Sequence, residues 1–144
     1  FKQGKGHQVY KFSPDGKVVM RLGVAGQSGA DETHFNGPTG VVVAANGDIW
    51  IAAHPKLSAL LAFMSNPKAR APSQALIVER DISGRGGDVH EVLLSDGHDL
   101  AAATIAIADG DRIVLSSAFD DHALVCVAPQ GSKRDISHRF NSKD

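Results

Sequence analysis

Residues 37–53, GPTGVVVAANGDIWIAA, constrain the fold more than any other stretch of the chain. Two short apolar runs flank Asn46-Gly47. Asn and Gly both tolerate the positive φ that a tight hairpin turn demands. The runs themselves are rich in Val, Ile and Ala and include Trp50. Their β-branched and aromatic residues favour strands, and their nearly continuous apolar character is that of buried strands. The segment predicts an inner hairpin, with a sharp turn away from the core.

Strand signals continue on both sides. Residues 7–12 alternate polar and apolar side chains, Ser13-Pro14-Asp15-Gly16 supplies a turn, and residues 17–22 complete a hairpin pattern. Residues 23–37 are rich in Gly with Asp, Ser and Asn and read as a loop. A third turn signal, residues 108–111, joins strand candidates at 103–107 and 112–117. Further candidates lie at 74–79, 89–94 and 122–127. One stretch breaks the pattern. Residues 55–64 are rich in Leu, Ala and Met, and Leu57, Leu60, Leu61 and Met64 recur at helical spacing. A short helix is expected over 55–64, with Pro55 suited to its first turn. Residues 66–72 and the Gly-rich 83–88 read as connections, and the tail over 129–144 is polar and expected to be poorly ordered.

The expected class is all-β. Nine strands with short turns group as two outer strands (7–22), one four-stranded unit (39–94, interrupted by the helix) and three strands (103–127). Four-stranded units every 40–50 residues or so are the spacing of β-propeller blades. The reading is a partial β-propeller of about two to three antiparallel blades, one domain over 1–128. Closed propellers have at least about four blades, so this segment does not close a ring by itself. It is a piece of a ring, or copies assemble to complete one, or it takes another small β fold.

Composition narrows the function classes. The 144 residues are 42% hydrophobic and 22% charged, with a formal net charge of −1 and seven histidines, ordinary values for a globular domain. No basic field exists to hold nucleic acid or an anionic membrane, and no apolar run approaches a membrane span. The sequence opens on Phe1, without Met and without a signal-like leader, and assigns no compartment. The single cysteine, Cys126, lies in the run ALVCV and reads as a buried apolar residue.

Two family resemblances overlap on this chain. Over about 7–53, HQVYKFSPDG, LGVAGQSG, FNGPTGVVV and NGDIW resemble an NHL-type propeller repeat, which also occurs in the amidating lyase that cleaves peptidyl-hydroxyglycines. Over about 47–127, GDIWIAAHP, PSQALIV, VHEVLLSDG, ATIAIADGDRIVL and SAFDDHALVC resemble the C-terminal blades of the paraoxonase/arylesterase family, relatives of the gluconolactonase-type propellers. The second resemblance implies a six-bladed propeller with calcium in its central tunnel, and calcium-dependent hydrolysis of lactones and aryl esters. The metal would polarise the carbonyl and a histidine would assist the attacking water. The first implies a binding module whose loops, 23–37 and 83–88, would contact a protein or another ligand.

The candidate residues follow. His54, in WIAAHP, matches a pocket-lining histidine of paraoxonases and is the expected catalytic residue, with a structural role at the strand end as its alternative. Thr39 and Gly40 occupy the place where that family carries acidic and amide calcium ligands. A neutral hydroxyl and a missing side chain are poor substitutes for carboxylates, so no metal ligand is assigned. Ala118 and Phe119 match a loop of the paraoxonase pocket wall and are the expected substrate contacts, Phe119 serving equally well as a core or rim aromatic. Asp120, Asp121 and His122 form a compact acidic and imidazole group, as do Asp96, His98 and Asp99, but both read first as turns. His7, His34, His90 and His138 share no metal-ligand spacing. The glycines of 23–29 lack the lysine of a phosphate loop, which excludes nucleotide binding on that signal. Trp50 and Phe35 are expected to pack between blades, and the helix to cover the propeller.

Overall fold

In the computed structural model, the described residues are 6–29, 31, 33–81 and 87–127. The expected tail, His138, and most of the Gly-rich 83–88 connection lie outside them. Nine strands and one helix follow in order: β1 (Val9–Phe12), β2 (Val18–Leu22), β3 (Pro38–Val43), β4 (Ile49–Ala53), α1 (Leu57–Ser65), β5 (Ser73–Val78), β6 (Val89–Ser95), β7 (Ile105–Asp109), β8 (Arg112–Ser116) and β9 (Ala123–Val127). They form three antiparallel sheets: β1-β2, β3-β4-β5-β6 and β7-β8-β9. The grouping of two, four and three strands is the one the turn signals predict. These open sheets are consistent with a partial propeller-like fold.

The four-stranded sheet is the middle layer. Along β4 and β5 side chains alternate between its faces. Trp50, Ala52, Ala75 and Ile77 pack on the three-stranded sheet through Ala106, Ile113 and Leu115. Ile51, Ala53, Leu76 and Val78 face the other way, onto Val9, Leu22 and Phe35. This explains why every residue of β5 is buried. It also bears out the inter-layer roles expected of Trp50 and Phe35, both at 1% exposure or less.

The turns follow their chemistry. In the β3–β4 connection Gly47 takes φ +90° and its N–H donates to the Ala44 carbonyl at 2.9 Å. Asp48, buried beside it, accepts from the Asn46 side chain at 2.8 Å and from the Arg80 N–H at 2.8 Å. One carboxylate thus ties the hairpin turn to the end of β5.

The helix departs from expectation. It starts at Leu57, not Pro55, because Lys56 holds an extended N-cap conformation (φ −137°, ψ 93°) and Pro55 lies outside the first turn. It ends at Ser65, where the Asn66 N–H closes on the Ala62 carbonyl at 2.8 Å. Nor is the expected stripe the packed face. Phe63 is buried against Ala71, Ala101 and Ala102, helped by Ala59 and Leu60. Leu57, Leu61 and Met64 are exposed.

Candidate functional site

All three sheets present the same kind of end near β3's first residue. Pro38 pairs with Ala53, Ala53 with Gln74, and Ser73 with Ser95. In the three-stranded sheet Ile105 pairs with Ser116, which pairs with Ala123. The two ends are in register through Gly40, where an added Cβ would fall on the Thr104 carbonyl oxygen. Only glycine lets the first strands of neighbouring sheets approach this closely. The β1-β2 hairpin reaches the same end through His7, whose Nδ1 accepts from the Gly37 N–H at 3.1 Å. His54, Thr39, α1, Ala118 and Phe119 therefore all belong to one face of the stack.

His54 sits one residue beyond β4 and is held on both sides. Its N–H donates to the Gly37 carbonyl at 3.1 Å, which extends the β3–β4 ladder by one rung. The Asn36 side-chain amide donates to the Pro55 carbonyl. Gly37 takes φ +59°, a conformation that disfavours L side chains, with the His54 backbone and Cβ against it. The imidazole is 4% exposed, and its Nδ1 is buried with no hydrogen-bond partner. Burial alone pushes its pKa below the usual histidine value near 6.5, so the ring is neutral at pH 7. A buried polar atom without a partner costs about 1–3 kcal/mol. Such atoms are few in folded proteins and call for an explanation.

Thr39 is exposed, and its hydroxyl donates to the Ala52 carbonyl at 3.4 Å. With Gly40 committed to close strand approach, the pair lacks the charged oxygen donors calcium prefers. Among the described residues no group of three or more His, Cys, Asp or Glu side chains is placed to hold a metal. The donor set at this end does not fit the calcium that the family resemblance implies.

Ala118 and Phe119 follow β8 and are both exposed. Phe119 meets Phe63 edge-to-face at 6.1 Å, and the Arg70 guanidinium lies 5.5 Å from the Phe63 ring centre. Phe119 is thus a rim aromatic held by Phe63 of α1. No hydrogen bond joins His54 to Ala118 or Phe119 among the described residues.

The acidic group beside them is structural. Asp120 takes a two-pronged contact from Arg70, at 2.9 Å and 2.7 Å, and accepts the Ala101 N–H at 2.8 Å. Arg70 also donates to the Gly97 carbonyl at 2.9 Å. The Arg70 contact, helped by the Ala101 N–H, holds the Asp120 carboxyl below the ordinary carboxylate range. His122 bridges the Asp99 carbonyl (2.5 Å) and Asp121 (3.0 Å), two acceptors that favour its protonated form and raise its pKa. His34 pairs with Asp31 at 2.8 Å and His90 with Glu79 at 2.9 Å. Cys126 is partly buried, which raises its thiol pKa and fits the apolar role expected of it.

Two residues that fix this end, Ser73 and Arg70, carry no motif. The Ser73 hydroxyl donates to the Leu100 carbonyl at 2.7 Å and accepts the Ala103 N–H at 2.9 Å. Arg70 and Asp120 lie fifty positions apart.

No family model matches the chain, and no curated protein matches it.

Proposed function

We propose that this chain is a propeller-type hydrolase segment that binds a small ester or lactone at the end carrying His54, with the imidazole as proton acceptor. The observation that supports this most is the buried His54 ring, neutral at pH 7 and lacking a partner at Nδ1. A neutral imidazole in a desolvated position is a competent general base, and a ligand group would relieve its unmet hydrogen bond. Phe119, exposed at the same end and backed by the buried Phe63, supplies aromatic surface for an apolar leaving group. No step is assigned to calcium, because Thr39 and Gly40 do not furnish its ligands.

The test is turnover of phenyl acetate and of a simple lactone by the native protein and by His54→Gln, with circular dichroism as the folding control. The reading expects turnover that the substitution removes while the β signal stays. Activity should fall on the acid side, below the ordinary histidine range, where the ring gains its proton. Turnover equal in the two proteins, or none in the native one, sinks it.

A second reading is supported by a different observation. Leu57, Leu61 and Met64 leave an apolar ridge on α1 at the same end, a surface suited to recognition by a binding module rather than to chemistry. Loss of ligand binding on Leu61→Lys, with no hydrolysis in any variant, would favour it.

A further inference from the structure

The β1-β2 hairpin is narrower than the sheet it lies on. Val9 and Leu22 pack on Ile51, Ala53, Leu76 and Val78 of β4 and β5. Val41 and Val43 of β3 stand cross-strand from Ile51 and Ile49 and so share that face. Yet they stay 48% and 66% exposed. The step between hairpin and sheet is a groove of about 430 Å³. Val41, Val43 and Ile49 give it a β-branched floor, and Val9 and the buried Met20 form its wall. Its size falls within the range of small-molecule sites, about 300–1,000 Å³. The groove lies at the end of the middle sheet that carries the Asn46-Gly47 turn. Val43 and Ile49 flank that turn, whereas His54 follows the far end of β4.

The groove also carries charge. Lys11, the cross-strand partner of Met20, and Arg80, just beyond β5, both line it. Neither makes an ion pair among the described residues. The carboxylate in the lining, Glu79, pairs with His90 at 2.9 Å. Arg80 is held at its place. Its N–H donates to Asp48 at 2.8 Å, and its side chain lies across Gly47. A Cβ at position 47 would fall 2.5 Å from the Arg80 Cδ and 3.2 Å from its Nη1. Gly47 thus serves twice, once for the positive φ of the turn and once as the bed of the arginine.

We propose that this groove binds a small organic monocarboxylate with an aliphatic body. The hydrocarbon lies on Val41, Val43 and Ile49 against Met20, whose flexible thioether adapts to the shape of a chain. The carboxylate meets Arg80, whose planar fork offers it two parallel N–H donors. Lys11 adds a second positive charge. A neutral hydrocarbon would gain nothing from these cations, and a cationic one would be repelled by them. An aliphatic anion complements both the floor and the rim. The proposal stands apart from the hydrolase reading, because the two sites lie at opposite ends of the middle sheet.

The test is a methyl NMR titration of the full chain, labelled at valine, with octanoate, 1-octanol and octylammonium. Octanoate should shift the Val41 and Val43 methyls to saturation. It should bind at least about fivefold tighter than 1-octanol, as an exposed charge contact allows, and octylammonium should bind weakest. Arg80→Gln should weaken octanoate about fivefold and Lys11→Gln about twofold, with 1-octanol unchanged in both. Both side chains are exposed, so circular dichroism should not change. Added salt should weaken octanoate alone. Octanoate that leaves Val41 and Val43 unshifted, 1-octanol that binds as tightly, or an Arg80→Gln protein that binds octanoate like the native one would each overturn the proposal. So would Val41 and Val43 methyls that shift with protein concentration alone, which would make a second copy the occupant.

Discussion

The middle sheet and the two outer sheets are built from similar residues yet live in different surroundings. β4 and β9 are both five residues long and almost wholly apolar. In β4 four of the five are buried, whereas β9 alternates exposed and half-buried. Apolar content alone thus does not report burial. The place of a strand in the stack does. Full burial of a large aliphatic side chain contributes about 1.5–3 kcal/mol, so β4 and β5, with Trp50, Ile51, Leu76, Ile77 and Val78 all buried, contribute a large share of the single chain's stability.

The contrast is sharpest for substitutions that remove volume. Trp50 lies between the middle and three-stranded sheets with no exposed surface. Trp50→Ala should cost about 3–5 kcal/mol, read from urea unfolding. Val127→Ala, at a site 64% exposed, should change the single chain by no more than about 0.5 kcal/mol. Equal losses would break the distinction between layers. Next in size is Gly40→Ala, which places a methyl on the Thr104 carbonyl and must push β3 from β7. A loss of about 1–3 kcal/mol is expected for such overpacking. A neutral result would mean the sheets do not touch there.

The smallest effects are in pH. The His54 pKa is lowered by burial, so below about 6.5 the unfolded chain binds a proton the folded one refuses, and stability falls as pH drops toward the lowered value. The His122 pKa is raised, first by the Asp99 carbonyl and then by Asp121. Its contribution is complete below about 6.5 and fades as pH rises through the raised value. Melting temperature against pH should flatten on the acid side in His54→Gln and on the alkaline side in His122→Gln. Parallel curves for the variants and the native protein would contradict both assignments.

Much of the architecture was legible because turn chemistry is local. The glycines at 16, 47 and 110 all take positive φ where the sequence calls for turns. The partition into two, four and three strands follows from them. The helix was misjudged at its edges, since leucine spacing does not reveal which side meets the alanines at 71, 101 and 102. The start of β7 was placed two residues early, at 103. Ala103 instead donates its N–H to Ser73, a contact across thirty positions. At the candidate site, His54 stood out as a histidine at a strand end. Its burial and unmet Nδ1 depend on Gly37 and on the loop from 36 to 37, which spacing cannot supply. Gly40 looked like a lost ligand position, and its packing against Thr104 gives it a structural reason.

Hydrogen exchange of backbone amides tests the layered account most directly. The account predicts the strongest protection in β4 and β5, whose side chains are buried on both faces. Protection in β1, β2 and β9, which alternate with or consist largely of exposed positions, should be weaker. Equal protection in all three sheets, or β4 and β5 exchanging before the outer strands, would contradict it.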